Sequence, residues 1–216
     1  MRAAPERYEL HHQGETHLET NPYLCRVWHR VGTQPTLPAA GTNRRVTVFG
    51  SVEAFGRGRV EVVCEGQNSA CFLRYLEALD RRHRRTRREV FLVLDNSSCH
   101  TSKASETALA ERAQWLHVIW LARYSPHLNP KEPEWRRLKR DACSHLARTL
   151  REFVDGILVG LRRLGGECQD IVDKVPDWFI AGHRKAPTGR PPGRPKGAKD
   201  SRPRKPYERK SLPAGT

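Results

Sequence analysis

The alternation of apolar and polar residues divides roughly the first 180 positions into strands and helices. Two β-branched runs, 45–52 (RVTVFGSV) and 58–64 (GRVEVVC), flank a glycine-containing turn and predict a β-hairpin. The short apolar run 89–94 (EVFLVL) predicts a strand that is buried on both faces. The remaining pattern predicts helices over 68–85, 103–113, 132–146 and 150–164 and a short strand over 117–121.

This order of elements predicts an α/β fold with three layers and one main sheet. Residues 1–10 lack the apolar run that is typical of a buried first strand, and the folded part is expected to end near Ile180. Between 184 and 210 lie eleven Lys or Arg residues and only two acids, and seven of the fifteen prolines follow position 185. Such a segment buries too little apolar surface to offset its chain entropy, so we expect 184–216 to be a disordered basic tail.

The overall charge favours a polyanionic partner. Lys and Arg number 39 against 24 acids, giving a net charge of +15; neutralising phosphates with such charges releases counterions. The sequence has neither an apolar run long enough for a membrane span nor a signal-peptide core, which argues against a membrane or secreted protein. The six cysteines are scattered without a C-x-x-C pair, which favours reduced thiols and a cytoplasmic location, near the nucleoid if the partner is DNA.

A first candidate for chemistry is Asp95, which follows the predicted strand 89–94 directly. Open α/β sheets place their ligands at the carboxyl ends of their strands. The alternative is a turn, because the sequence Asp-Asn-Ser-Ser is also good turn and N-cap chemistry. Asn96 and His100 nearby favour the functional interpretation only slightly.

A second candidate is Glu132, within the segment 124–139 (YSPHLNPKEPEWRRLK). The turn at Asn129 and Pro130 leads into a helix with Glu132 in its first turn and Trp135 one turn later. The alternative is structural: acids favour helix N-termini, and Trp135 suits a core. One carboxylate on a strand end and another on a following helix are also what a two-metal phosphoryl-transfer site requires.

The blocks 90–100 (VFLVLDNSSCH) and 124–141 (YSPHLNPKEPEWRRLKRD) resemble the second and third acidic motifs of DDE-superfamily transposases, in the mariner-like branch of bacterial insertion sequences. The segments 22–28 and 39–50 are similar to that branch as well, so the resemblance covers about residues 13–165. It implies a ribonuclease-H-like domain that cleaves and joins DNA strands with Mg²⁺ or Mn²⁺, acting as a homodimer or higher multimer on DNA.

The resemblance makes Asp95 the second metal-binding carboxylate and Glu132 the third, with Glu134 a weaker candidate. The position that matches the first acid holds Gly14, within the sequence Gln-Gly-Glu-Thr. Glu15 is a candidate substitute, although neither it nor Glu19 falls on the matched position. Loss of one of three ligands is expected to weaken the metal site severely. Supporting roles are expected for Asn96, His100, Asn129 and Trp135.

The resemblance also suggests a division of the chain. Members of this branch carry helix-turn-helix modules before the catalytic domain, whereas only about a dozen residues precede the first motif here. We therefore expect 1–12 to be a remnant outside the family domain, 13–183 to be the catalytic domain and 184–216 to be the tail. This pattern suggests a truncated copy or the second half of a split reading frame.

Two basic segments are candidate DNA contacts. The run 81–88 (RRHRRTRR) is either a solvated helix end or a phosphate-binding patch that includes Arg81, Arg82, Arg84 and Arg85. The tail contains two Gly-Arg-Pro units that resemble AT-hook peptides, with Arg190, Arg194 and Lys196 suited to the minor groove of A·T-rich DNA. The alternative for the tail is general binding to any nucleic acid.

Three functions therefore remain open at the level of sequence. The first is a transposase catalytic domain, inactive if Gly14 has removed an essential acid. The second is a catalytically dead remnant that only binds DNA. The third, an RNA-binding or structural basic protein, gives no reason for the two acidic motifs.

Overall fold

The computed structural model describes residues 6–21, 28–33, 36, 43–55, 58–122, 129–142, 147–165 and 169–182. The chain divides into two units, residues 1–184 and 185–216. The second unit lies wholly outside the described residues, and so does the predicted disordered tail. Among the helices that are described, none has the length and apolar content needed to cross a bilayer.

Six strands and five helices make up the described part of the first unit. In chain order they are β1 (Tyr8–Glu19), β2 (Arg45–Glu53), β3 (Arg59–Cys64), α1 (Ser69–Thr86), β4 (Glu89–Leu94), α2 (Lys103–Ala110), β5 (Leu116–Trp120), α3 (Lys131–Ala142), α4 (Leu150–Leu164), β6 (Gln169–Asp173) and α5 (Asp177–Ile180).

The strands form one mixed sheet in the order β5-β4-β1-β2-β3-β6. The β1–β2 and β2–β3 pairs are antiparallel, whereas β4 is parallel to both β1 and β5, and β6 is parallel to β3. The carboxyl ends of β4 and β5 therefore lie side by side next to the middle of β1, and we call this end of the sheet the carboxyl edge.

Helices cover both faces of this sheet. Phe72, Tyr75 and Leu79 of α1 pack with Phe49 and Leu92 in one fully buried core. Helices α3 and α4 build a second core on the opposite face, where Trp135 and Leu138 meet Val48 and Ile157. The predicted α/β fold with three layers and one main sheet is thus confirmed.

Local sequence signals define several helix ends. The Asn68 side chain accepts a hydrogen bond of 2.9 Å from the Cys71 amide at the start of α1, and Thr149 accepts one of 3.1 Å from the Glu152 amide at α4. Such caps satisfy donors that have no partner within the helix. Helix α1 is capped at its carboxyl end by Arg87, which adopts the left-handed conformation with φ 58°.

The predicted hairpin, strand 89–94 and helix 150–164 are confirmed, and α1 and β5 differ from prediction by one residue at each end. Helix α2 is shorter than predicted because it ends at Ala110. Strands β1 and β6 were not predicted. Residues 1–10 did not look like part of a buried first strand, and that interpretation is wrong, since β1 begins at Tyr8. The domain boundary expected after residue 12 therefore falls inside a central strand.

Buried polar side chains explain why β1 does not look like a central strand in the sequence. Its inward residues Glu9, His11 and Gln13 are each at most 1% exposed. Arg82 of α1 donates to the Glu9 carboxylate at 2.7 and 3.0 Å, and the His11 ring lies 2.9 Å from the Ser51 hydroxyl. Pairing of this kind is what allows polar groups to occupy a core.

Candidate functional site

Asp95 stands at the carboxyl edge, immediately after β4, with 56% of its side chain exposed. Its Oδ1 accepts a hydrogen bond of 3.0 Å from the Ser97 amide and lies 2.9 Å from Nδ1 of His100. The contact with His100, aided by the Ser97 amide, lowers the pKa of Asp95 against the opposing effect of burial. Asp95 therefore both forms the predicted turn and presents an ionised carboxylate at this edge.

Gly14 and Asp95 each follow the last β1–β4 pair by two residues. That pair is His12 with Val93, and the same register continued by two residues would put Gly14 next to Asp95. Gly14 is also directly opposite Gly50 of β2. A β-carbon on Gly14 would point toward Asn129 and Trp135, so position 14 faces the layer that contains α3.

Asn129 holds the start of α3 against β1, next to position 14. Its side-chain amide donates a hydrogen bond of 2.7 Å to the Gln13 carbonyl, and its Oδ1 accepts one of 3.0 Å from the Lys131 amide. Glu132 follows in the first turn of α3, half-buried and without an ion pair to any described residue. Position 14, Asp95 and the start of α3, which carries Glu132, thus lie at the carboxyl edge.

The weaker candidate, Glu134, is occupied by structural ion pairs. It accepts hydrogen bonds from Arg59 and, at 2.8 Å, from Nζ of Lys131; burial opposes its ionisation, but these cations outweigh burial and lower its pKa. The fully buried Lys131 also donates to Glu61 at 2.7 Å and lies 4.6 Å from the ring centroid of Trp135. Sequence reasoning missed this cluster, because a buried lysine cannot be distinguished from an exposed one by pattern alone.

Glu15 lies on the other face of the sheet from position 14. It is opposite Phe49, which belongs to the core under α1, and its Oε1 lies 2.6 Å from Nε2 of His100. Burial opposes protonation of His100, but the contacts with Asp95, Cys99 and Glu15 outweigh it and raise the His100 pKa to about 12. This orientation argues against Glu15 as a substitute for the first acid.

The surroundings of position 14 suit a carboxylate that the chain does not have. A β-carbon there would lie 3.1 Å from Nδ2 of Asn129 and 3.4 Å from Nε1 of Trp135. Nε1 of Trp135 is buried and has no hydrogen-bond partner among the described residues. The site offers two N–H donors where the first acid is expected, so the residues present do not complete a two-metal site.

The arginine run 81–88 divides between structural and exposed side chains. Arg82 is 4% exposed and paired with Glu9, so this burial removes Arg82 from the candidate DNA contacts. Arg85 is half-exposed but forms two hydrogen bonds of 2.7 Å with Asp170. Arg81 and Arg84 are exposed. The apolar spacing of Phe72, Tyr75 and Leu79 continues to position 82 and could have revealed its burial.

These arginines also lie far from Asp95. Helix α1 ends at Thr86, beside the start of β4, whereas Asp95 follows the end of that six-residue strand. A strand of this length spans about 20 Å. Arg81 and Arg84 therefore lie toward the end of the sheet opposite to Asp95.

The other predicted site residues have definite places or lie outside the described part of the chain. Asn96 donates a hydrogen bond of 2.8 Å to the Leu121 carbonyl and so joins the ends of β4 and β5. Trp135 is buried against the sheet, as expected of a core residue. The tail residues Arg190, Arg194 and Lys196 lie outside the described residues.

Comparison with known proteins defines the class. Residues 12–154 match the family model described as DDE superfamily endonuclease. The chain therefore belongs to the DDE superfamily endonucleases, as the two acidic motifs implied. No curated protein matches the sequence at a significant level.

Two solved structures of the Mos1 transposase share the fold. The paired-end complex with the left transposon end is 18% identical, with a TM-score of 0.50 over 74% of this chain and 52% of that one. The Mos1 mariner paired end complex with Mn is 20% identical, with a TM-score of 0.50 over 73% of this chain and 53% of that one. This chain spans about half the length of either, and the likeness confirms the ribonuclease-H-like fold.

Proposed function

We propose that this domain is the catalytic domain of a DNA transposase, whose chemistry is the cleavage and joining of DNA strands. The observation that supports the proposal is that Asp95, position 14 and the start of α3, which carries Glu132, lie at the same edge of the sheet. Three separate stretches of sequence supply these positions. Position 14 is in β1, Asp95 follows β4, which pairs with β1, and Asn129 holds α3 to β1. If Asp95 only formed a turn, there would be no need for a hydrogen bond that holds the start of α3 against Gln13.

We further propose that the chain, with glycine at position 14, binds DNA without cleaving it. The Mos1 complex described above contains Mn, and hard divalent cations take oxygen ligands, several of them carboxylates. Here Asp95 and Glu132 supply two carboxylates, while position 14 supplies none. Use of Mg²⁺ or Mn²⁺ by this site would therefore depend on restoring an acid at position 14.

DNA binding is proposed for two groups of cations. Arg81 and Arg84 are exposed on the last turns of α1, and the basic tail with its Gly-Arg-Pro units adds Arg190, Arg194 and Lys196. Cations that neutralise backbone phosphates give binding that weakens steeply with salt. Assembly of two or more copies on paired DNA ends is part of the same proposal, on the strength of the paired-end complexes of Mos1.

A second candidate function is a remnant that acts only by binding DNA. The observation in its favour is again Gly14, since a remnant is free to lose any catalytic residue. The two candidates differ in what one substitution does: an otherwise intact site regains metal binding when the acid returns, whereas a decayed site does not.

The experiment is a titration of Mn²⁺ followed by electron paramagnetic resonance, on the native chain and on Gly14→Asp. We expect Gly14→Asp to bind Mn²⁺ at least about tenfold more tightly, because it adds one carboxylate beside Asp95. The matched control is Gly14→Asn, which adds a side chain of the same size without the charge. Equal affinities of Gly14→Asp and Gly14→Asn would contradict the proposed site.

A gel-shift assay on the native chain tests the DNA half of the proposal. We expect binding to duplex DNA at low salt that weakens as salt rises, with the DNA recovered intact. Absence of DNA binding by the native chain would contradict both candidate functions.

A further inference from the structure

We propose that Glu15 and His100 are positioning residues that hold the carboxylate of Asp95 in one orientation, so that its second oxygen faces the reacting groups. This inference rests on the proposed function, because it assigns Asp95 to the reaction. It gives Glu15 a role other than that of a substitute first acid.

Glu15 is fixed from several sides. Its Oε1 lies 2.6 Å from Nε2 of His100, accepts a hydrogen bond of 3.1 Å from the Gln13 amide and lies 3.8 Å from Sγ of Cys99. The side chain of Glu15 is only 6% exposed. A carboxylate with these neighbours has few alternative orientations, so it provides a fixed point under the carboxyl edge.

His100 links the Glu15 carboxylate to Asp95. The imidazole is fully buried and packs against Phe72, with ring centroids 4.6 Å apart. Its Nδ1 lies 3.1 Å from the Asp95 carbonyl oxygen and 2.9 Å from Oδ1. Because each ring nitrogen faces an acceptor, the ring joins the inner Glu15 to the outer Asp95 as one chain of contacts.

The two carboxylate oxygens of Asp95 have different surroundings. Oδ1 is engaged by His100 and by the Ser97 amide, whereas Oδ2 has no hydrogen-bond or ion-pair partner among the described residues. A carboxylate that is 56% exposed would otherwise sample several rotamers. Holding Oδ1 inward selects one of them and leaves Oδ2 outward, which is the pre-organisation that a reactive site requires.

The first test measures the Asp95 side chain in the native chain and needs no activity. Three-bond couplings to Cγ, measured by NMR on isotope-labelled protein, report whether χ1 of Asp95 is fixed or averaged. We expect fixed values in the native chain, averaged values in His100→Ala and Glu15→Ala, and an intermediate effect in Glu15→Gln, which keeps an acceptor for the ring.

The matched control is Glu19→Gln. Glu19 lies on the same strand and the same face as Glu15 but pairs with Arg45 at the surface. We expect it to leave the Asp95 couplings unchanged. Fixed couplings in both His100→Ala and Glu15→Ala, in proteins whose spectra show an intact fold, would overturn the proposal.

A bound metal ion is the competing explanation for order at this place, since ligand atoms of Glu15, Cys99 and His100 lie within 4.8 Å of one another. Adding EDTA to the native chain distinguishes the two. We expect unchanged Asp95 couplings, and averaging after chelation would overturn the proposal.

The second test uses Gly14→Asp as the background and measures Mn²⁺-dependent plasmid nicking. Adding Glu15→Gln should lower kcat about tenfold while leaving KM for DNA unchanged, and adding Glu19→Gln should change neither. An unchanged kcat with Glu15→Gln would contradict the positioning role. If Gly14→Asp itself does not nick DNA, the proposed function fails, and the NMR couplings still decide whether Glu15 and His100 orient Asp95.

Discussion

Gly14 and Gly50 lie directly opposite each other on β1 and β2, and a side chain on either one would point at Trp135. The two positions differ in what a new β-carbon would meet. At Gly50 it would lie 2.6 Å from Cη2 of Trp135, which is closer than real contacts allow, whereas at Gly14 the nearest atom is the amide nitrogen of Asn129 at 3.1 Å. The absence of a side chain at Gly50 therefore leaves room for α3, whereas a β-carbon at position 14 would require only a small shift of Asn129.

The first prediction compares alanine at these two positions. Gly50→Ala should lower the free energy of unfolding by about 1–3 kcal/mol, because the buried indole and the Lys131 side chain must shift. Gly14→Ala should change it by less than about 1 kcal/mol, since the gain in strand preference offsets a tight contact. Urea unfolding of the three proteins measures both effects. A larger loss in Gly14→Ala than in Gly50→Ala would contradict the packing described for α3.

The second prediction concerns the buried ammonium of Lys131. Lys131→Met should destabilise the fold by about 3–5 kcal/mol, because Glu61 and Glu134 lose their shared cation in the interior. Burial already raises the pKa of Glu61, and loss of the opposing Lys131 charge should raise it further. The double variant Lys131→Met with Glu61→Gln should recover much of the loss in thermal unfolding. No recovery in the double variant would show that packing, and not charge, makes Lys131 necessary.

The third prediction is a loss of stability in acid. Burial opposes ionisation of Glu9, but His11 and Arg82 outweigh it and lower its pKa from 4.5 to about 2. A lowered pKa stabilises the fold above pH 4.5, and this contribution of about 3 kcal/mol is lost as the pH falls from 4.5 toward 2. Chemical unfolding between pH 2 and 7 measures it. Glu9→Gln should show a flatter acid dependence, and an identical profile would contradict the assignment to Glu9.

The fourth prediction tests the DNA contacts on α1. The double variant Arg81→Gln with Arg84→Gln should weaken DNA binding and reduce the slope of log K against log salt by about 2, because two fewer phosphates are neutralised. The matched control is Arg162→Gln with Arg163→Gln, which removes the same charge from exposed arginines in the last turn of α4. Equal slopes for the two double variants would exclude a specific contact at Arg81 and Arg84.

The local sequence pattern predicted most of the elements that meet at the carboxyl edge. The apolar run before Asp95 and the Asn129-Pro130 turn before α3 identify a strand end and a helix start, and both features depend only on neighbours in sequence. The resemblance to a family then placed Gly14 beside them. The structure puts that glycine in β1, the strand that pairs with β4.

Features that depend on distant partners were missed. Strand β1 was not predicted because Glu9 and His11 look like exposed residues until Arg82 and Ser51, 73 and 40 positions away, are placed against them. Lys131 is paired with Glu61 across 70 positions. Burial of a polar group is decided by tertiary partners, and a single sequence carries no record of which distant side chains will meet.

Whether the site lacks only the carboxylate at position 14 is decided by Mn²⁺-dependent nicking of supercoiled plasmid by the native chain, by Gly14→Asp and by Gly14→Asp with Asp95→Asn. We expect Gly14→Asp alone to nick DNA, because it returns the missing carboxylate to a site that is otherwise in place. Nicking by the native chain that disappears in Asp95→Asn would contradict this claim, since another group would then be supplying the role assigned to position 14.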